Sequence, residues 1–406
     1  MKLSCIFCSK SPENCPIHSS KLYSATLNLK EIQEFNGVSP PTVFVGSKLK
    51  YPLVNIGVMS PSTKVNDPWV MDSPRYWAQN NYGIDDIINL RKQLINSKTT
   101  TSVREINNKY VIKMQELGMA INPVDIEVHL KKGVKINLSL DKVVTAMGPS
   151  GEISNFEVLN NIKVHNQVEK VYLDTDLKAL NAVHFLHKKG FDEQNISQLL
   201  SIGVLGLKKN RKLVPTRLSI TATDDIIGRK LINDIENFEV INKFCLYFGG
   251  YLGNYYIIMF LPANFSYEIF ETYLPNNLSN FTSESITDYE SSFGRTQYAM
   301  HTAGGYYTAR LASLEKLNLI KKKASVLVLR FITSEYTIPL GVFVTREASR
   351  KTLSNNPIEF EDLTSMLSHT SNLIFNRFKY KIDKIFNKSK LLKDLREQKR
   401  LSYFFS

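Results

Sequence analysis

The sequence predicts an α+β protein of mixed hairpin sheets with packed helices. Three observations carry this. Apolar runs of strand length occur in pairs around glycine turns, as in Glu239–Phe248 and Tyr251–Leu261 around Gly249-Gly250. Amphipathic runs with helical spacing fall between such pairs, as in Asp176–Lys188 before Gly190. The two kinds alternate without a regular β-α-β period, which points away from a parallel doubly wound sheet.

In chain order, the first feature is Cys5-Ile-Phe-Cys8 followed by Cys15-Pro-Ile-His18. Two C-x2-ligand pairs in tight turns offer four N/S donors, the set that tetrahedral zinc needs. Residues 1–20 are therefore expected to form a small Zn2+-binding module with Cys5, Cys8, Cys15 and His18 as ligands. A segment so short has no core, so the metal would supply most of its folding energy. Thr42–Val45 and Leu53–Ile56 read as strands around a Gly/Lys turn, and Asp85–Ile95 and Val103–Leu117 as helices. Val124–Leu130 and Val134–Leu140 read as a hairpin around Lys131-Lys-Gly133, and Glu193–Ser201 as a helix before Gly203. The polar stretch Pro275–Tyr289 is the expected boundary between a domain at 21–280 and another at 281–395. In the second, Gly305–Leu319 reads as a helix, Ser325–Ile332 with Tyr336–Val344 as a strand pair, and Phe360–Lys390 as an increasingly basic helix.

Composition bounds the partners. The 406 residues carry a formal net charge of +13, which favours an anionic partner. From Asn376 onward ten bases face three acids, a run suited either to a solvated helix face or to DNA phosphates. The most apolar stretch, Tyr255–Leu261, has strand length and stops at Pro262, so no membrane partner is expected. The start lacks the long apolar region of a secretory signal. Three of the four cysteines cluster near the start, which suits a metal site in a reducing, cytoplasmic setting, and Cys245 in an apolar run reads as core.

The densest polar run is Arg211–Lys230. Read as a strand at Leu218–Thr221 entering a helix near Asp224, it places Arg217, Ser219 and Thr221 on one face, with Thr216 just before them. Open N–H groups at the helix start would bind an anion, and Asp224 with Asp225 would hold a divalent ion such as Mg2+ or Mn2+. A second run, Ser291–Tyr298, leads into Gly304-Gly-Tyr-Tyr-Thr-Ala-Arg310. Gly304 and Gly305 permit close backbone approach before a helix, while Arg295, Gln297, Tyr307 and Arg310 offer charged bonds or base stacking. His184 and His187 stand at i,i+3 on a helix and read as ordinary helix residues.

The last eleven residues, 396–406, end in adjacent phenylalanines. Gln398, Leu401, Phe404 and Phe405 follow Q-x-x-(aliphatic)-x-x-(aromatic)-(aromatic), which resembles the peptide that docks repair proteins on the sliding clamp PCNA. Burying one Leu and two Phe supplies about 5–9 kcal/mol, and ordering a tail costs about 2–5 kcal/mol of it. The balance suits a tether better than a permanent subunit.

A wider resemblance rests on Phe44-Val-Gly46, Tyr51-Pro52, Asn55-Ile-Gly57, Pro123–Glu127, Met147-Gly-Pro-Ser150, Val168-Glu-Lys170, Asp174–Lys178, Arg211–Asp225 and Gly304–Arg310. These segments, spread over essentially the whole chain, resemble the archaeal Nre DNA-repair proteins, in the branch with an N-terminal cysteine cluster and a C-terminal clamp peptide. Leu218 stands where the family is expected to carry tryptophan, and the cysteine cluster is shorter than the usual four-cysteine form. The resemblance implies a repair factor tethered to PCNA that binds damaged or branched DNA. Two alternatives read the residues differently: a metal-dependent nuclease or other phosphoryl-transfer enzyme centred on Arg217, Asp224 and Asp225, or a nucleotide-binding module using the same groups.

Overall fold

Val124, Ile126, Val128 and Leu130 alternate with Asp125, Glu127 and His129, and a period of two puts the apolar set on one face of a strand. The computed structural model describes residues 32–136, 140–141, 143–274 and 285–397, and in it the first set is buried and the second half-exposed. The expected zinc ligands and clamp peptide lie outside the described residues.

The described chain divides into two compact units: one runs to Ile227 and takes in Thr337–Phe343, and the other comprises Gly228–Tyr336 and the chain from Val344. This division does not coincide with the polar stretch Pro275–Tyr289.

The first unit contains β1 (Glu34–Ser39), β2 (Val43–Val45), β3 (Leu53–Ser60), α1 (Pro74–Gln79), α2 (Ile84–Gln93), β4 (Ile95–Ser102), α3 (Lys109–Gly118), β5 (Val124–Leu130), β6 (Ser150–Val158), α4 (Asn166–Leu173), α5 (Ala179–Lys188) and α6 (Glu193–Ser201). Its strands form one sheet in the order β1-β5-β6-β4-β3-β2, antiparallel except for the parallel β4–β6 pair. Gly118 ends α3 where a Cβ would stand 2.7 Å from Ile202, so α3 packs closely on the turn after α6. Gln198 of α6 ties the layers together, donating to the carbonyls of Pro41 (2.6 Å) and Gly118 (2.9 Å). Thr337–Phe343 completes this unit from far along the chain. The Val342 N–H donates to the Val143 carbonyl (3.0 Å), and the Phe343 ring meets the fully buried Trp77 edge-on at 5.5 Å.

Helix α7 (Thr216–Ile235) carries the chain from Ile227 to Gly228, where the two units divide. The second unit holds β7 (Phe244–Tyr251), β8 (Asn254–Leu261), β9 (Tyr267–Tyr273), β10 (Ile286–Glu290), α8 (Ala303–Leu319), β11 (Ser325–Ile332), α9 (Phe343–Ser354, almost wholly in this unit), β12 (Ile358–Phe360), α10 (Leu363–Phe378), α11 (Asp383–Lys388) and α12 (Lys390–Glu397). Its sheet runs β10-β9-β11-β8-β7-β12, parallel only between β9 and β11. Helices cover both faces. On one, α8 and α9 meet through Thr308 and Thr345 (2.5 Å), and Gly249 lets α9 approach so that a Cβ would lie 3.0 Å from Thr352 Cα. On the other, Ile257, Met259, Leu327, Leu329 and Phe270 pack under Ile374, Ile385, Phe386, Leu391 and Leu392 of α10–α12.

Several expectations need correction. Leu218–Thr221 is not a strand, and no helix starts at Asp224: α7 begins at Thr216, with the Pro215 carbonyl accepting from the Leu218 and Ser219 N–H groups. The β-branched Thr and Ile residues suggested a strand, but their buried partners are at helical spacing. Val134–Leu140 forms no strand among its described residues; Lys135 makes one bridge with Ser150, and β6 is the neighbour of β5. Tyr336–Val344 is not a strand either, since it runs into α9. The single helix expected at Phe360–Lys390 is three. Lys379 ends α10 in the left-handed conformation (φ 55°), and Ser389 separates α11 from α12.

Candidate nucleic-acid interface

Most hydroxyls singled out on α7 are used to pack the helix. Thr216 Oγ1 accepts from the Val45 N–H of β2 (2.9 Å), and Ser219, fully buried, shares a hydrogen bond with Ser197 of α6 (3.0 Å). Thr221 Oγ1 donates back to the Arg217 carbonyl (3.0 Å), the usual arrangement for a threonine inside a helix. Arg217 is exposed on the first turn, Asp224 is buried two turns later, and Asp225 is half-buried. Arg217 and Asp224 thus share a helix face, whereas adjacent Asp224 and Asp225 diverge by about 100°. Among the described residues no group of three or more His, Cys, Asp or Glu is arranged to hold a metal ion. His184 sets its Nε2 3.3 Å from the Ile226 carbonyl, and Cys245 is half-buried with its thiol 3.7 Å from the Lys243 carbonyl.

The second run is built into a polar layer between the second sheet and α8. Ile286-Thr-Asp-Tyr-Glu290 turns Asp288 and Glu290 to one face of β10. Asp288 Oδ2 accepts from the N–H groups of His301 and Thr302 and from the Thr302 hydroxyl, at 2.7–3.0 Å. A carboxylate of the protein therefore already sits at the start of α8, where a phosphate was expected. Gly305 is needed there because a Cβ would fall 2.1 Å from Glu271 Oε1. Gly304, one residue earlier, lies in the same first turn and is half-buried. Arg295 binds Asp288 (2.9 Å) and the carbonyls of Gln297 (2.7 Å) and Tyr298 (3.1 Å). Arg310 pairs with Glu290 at 2.7 Å, both almost fully buried, and its guanidinium lies over the rings of Tyr306 and Tyr307. Tyr306 donates to the same Glu290 (2.6 Å), and burial together with that carboxylate pushes the phenol's pKa up. Tyr307 OH accepts from the Ala299 N–H (3.1 Å). Next to this pair, Arg330 joins Glu271 (2.7 Å) and Asn254. Asp288 and Glu290 were missed because acids alternating on a short strand look like boundary polarity. Their period-two spacing was the available signal.

What faces outward is different. The turn Ser291–Gly294 carries Phe293, 99% exposed, and Gln297, Tyr298 and Met300 follow it at the surface. On the opposite face of the sheet, α10–α12 bury their apolar residues and leave every cation outward. Arg377, Lys379, Lys381, Lys384, Lys388, Lys390, Lys393 and Arg396 are all exposed, against the acids Asp383, Asp394 and Glu397. Asp394 accepts from Tyr289, which sets α12 against the same edge strand, β10, that leads into the Phe293 turn. Within one unit, then, a wide cationic surface borders an exposed aromatic, a pairing suited to phosphate contact and base stacking.

Two family descriptions match: archaeal Nre, N-terminal, over residues 7–280, and archaeal Nre, C-terminal, over residues 290–404. The chain is 33% identical over 379 residues to DNA repair protein NreA of Archaeoglobus fulgidus, covering 92% of each. It is 34% identical over 333 residues to DNA repair protein NreB of the same organism, covering 82% of this chain and 83% of that one. It is 32% identical over 325 residues to DNA repair protein NreA of Haloferax volcanii, covering 78% and 77%. No solved structure matches.

Proposed function

The chain belongs to the archaeal Nre family, and on that premise we propose that it is a DNA-repair factor that binds DNA and is held at the sliding clamp PCNA by Gln398–Phe405. The observation that carries the DNA-binding part is the outward array of eight cations on α10–α12 and the turn between α10 and α11. Three consecutive helices with apolar undersides fix these side chains on one surface, and neutralising phosphates from such a surface releases counterions from DNA. The clamp part rests on the spacing of Gln398, Leu401, Phe404 and Phe405. Tethering would raise the local concentration at DNA to the millimolar range without any further contact. Cys5, Cys8, Cys15 and His18 are proposed to hold zinc.

Titrating labelled duplex and flap DNA across salt concentrations tests the reading. Changing Lys379, Lys381 and Lys384 together to Gln should lower the slope of log affinity against log salt by about 2–3. An unchanged slope would remove these helices from the interface. Phe404→Ala with Phe405→Ala should abolish clamp pull-down and leave DNA affinity within about twofold; retained pull-down would refute the tether.

A further inference from the structure

Four of the segments that carry the family resemblance converge in the first unit. Phe44-Val-Gly46, Tyr51-Pro52 and Asn55-Ile-Gly57 lie on the β2–β3 hairpin, and β4 and β6 bring Met147-Gly-Pro-Ser150, distant in sequence, onto the same half of the first sheet, with Ser150 opposite Asn96 and Tyr51 beyond the other end of β3. Gly57 lies in the middle, opposite Phe44 on β2 and Lys98 on β4. A Cβ on Gly57 would fall 2.2 Å from Asn96 Oδ1 and 2.9 Å from Lys98 Cβ, so the glycine lets those two side chains close over its backbone. Asn96 is only 5% exposed, and its Oδ1 has no hydrogen-bond partner. A buried acceptor in that state is costly unless something supplies a donor.

The surroundings are cationic. Lys98 Nζ donates to Ser150 Oγ (3.3 Å), and Lys135 is held alongside by two backbone bonds to Ser150. Burial lowers the pKa of Lys98, and Lys135 and then Lys48 lower it further by repulsion. The nearby carboxylate, Glu152, is engaged by Lys131 (2.5 Å). The loop from Ser47 to Leu53 is exposed throughout and adds Lys50 and Tyr51, the latter 67% exposed. Repelling cations gathered at a half-buried position destabilise the fold, a cost that persists where an anion offsets it.

The geometry points to this half of the first sheet as a seat for an unpaired stretch of DNA, with Lys48, Lys98 and Lys135 on its phosphates. A base lies over Asn96, whose Oδ1 accepts from a base N–H. Tyr51, exposed on the turn beyond the far end of β3, stacks on a base further along the strand. The strand is single because a base can stack on Tyr51 only when it is free of its own pairing and stacking in a duplex. This rests on the reading of the protein as a DNA-binding repair factor and adds a second surface, with its own preference, to the helices α10–α12.

The test uses the full chain and a labelled single strand of about 20 nucleotides beside the corresponding duplex. Lys48→Gln, Lys98→Gln and Lys135→Gln combined should weaken single-strand binding about tenfold at about 100 mM salt and lower its salt slope by about 2. Duplex affinity should change less than about twofold, since phosphates on α10–α12 carry it. Tyr51→Ala alone should cost single-strand affinity about fivefold or more. Lys98→Gln alone should raise the melting temperature most at low pH, where the wild-type lysine is protonated among cations, and this gain should shrink as rising pH discharges it. Single-strand affinity unchanged in the triple variant, or lost equally for duplex, would overturn the assignment. So would displacement of the strand by equimolar deoxynucleoside monophosphate, which would make the site one for free nucleotides. Wild-type protein that binds neither DNA would instead overturn the underlying reading.

Discussion

At the scale of single residues, the second unit is organised by buried charge. Glu290 receives both Arg310 and the Tyr306 hydroxyl in a space closed to solvent. A buried ion pair contributes little against a well-packed apolar substitute, but removing one partner strands the other. Glu290→Gln keeps the shape and removes the charge, so Arg310 loses its anion. We expect about 3–5 kcal/mol of destabilisation, measured as a lower urea midpoint with an unchanged m-value. Gln297, exposed and accepting from Arg295 through its backbone carbonyl, is a control at which substitution to Ala should change stability by less than about 0.5 kcal/mol.

At the scale of elements, the basic surface depends on an acid beneath it. Glu268 is fully buried on β9 and accepts from Ser389 Oγ (2.6 Å) and from the N–H groups of Leu391 (3.0 Å) and Lys390 (3.2 Å). It caps α12 from the sheet, a bond set that holds the helix start against its neighbour. Glu268→Ala should destabilise by about 1–3 kcal/mol, and amide exchange should accelerate first over Lys390–Glu397. Elements of this kind also show what the sequence made legible. The pairing of β7 with β8 was readable because Tyr255–Leu261 is a continuous apolar run that stops at a proline, but Gly249-Gly250, expected as the turn, lie inside β7, and the chain turns at Leu252-Gly253 instead. Strand β4, Ile-Asn-Ser-Lys-Thr-Thr-Thr-Ser, was not, because its buried polar groups belong to a sheet whose partners lie elsewhere in the chain. The hydroxyls of α7 were readable as a constellation, but their partners on α6 and β2 were not, and those partners decide that they pack the helix. The seat around Gly57 was visible as motifs and became a site only when the strand order brought them together.

At the scale of the whole molecule, stability in the first unit draws on residues more than a hundred positions away from its last continuous segment. Phe343 is 5% exposed against Trp77, and removing its ring leaves a void beside a fully buried indole. Phe343→Ala should cost about 3–5 kcal/mol and shift Trp77 fluorescence toward the red. Loss confined to the second unit, with Trp77 emission unchanged, would contradict this packing.

The return of Thr337–Phe343 to the first unit also sets a schedule for synthesis. A ribosome delivers Trp77 early and Phe343 late, so the first unit emerges with an indole that lacks this ring's cover until Gly228–Tyr336 of the second unit has been made. Through that interval the nascent chain presents an unfinished core with apolar surface open to aggregation. Messages whose slow codons fall after Phe343 should yield more soluble protein than messages that pause before it.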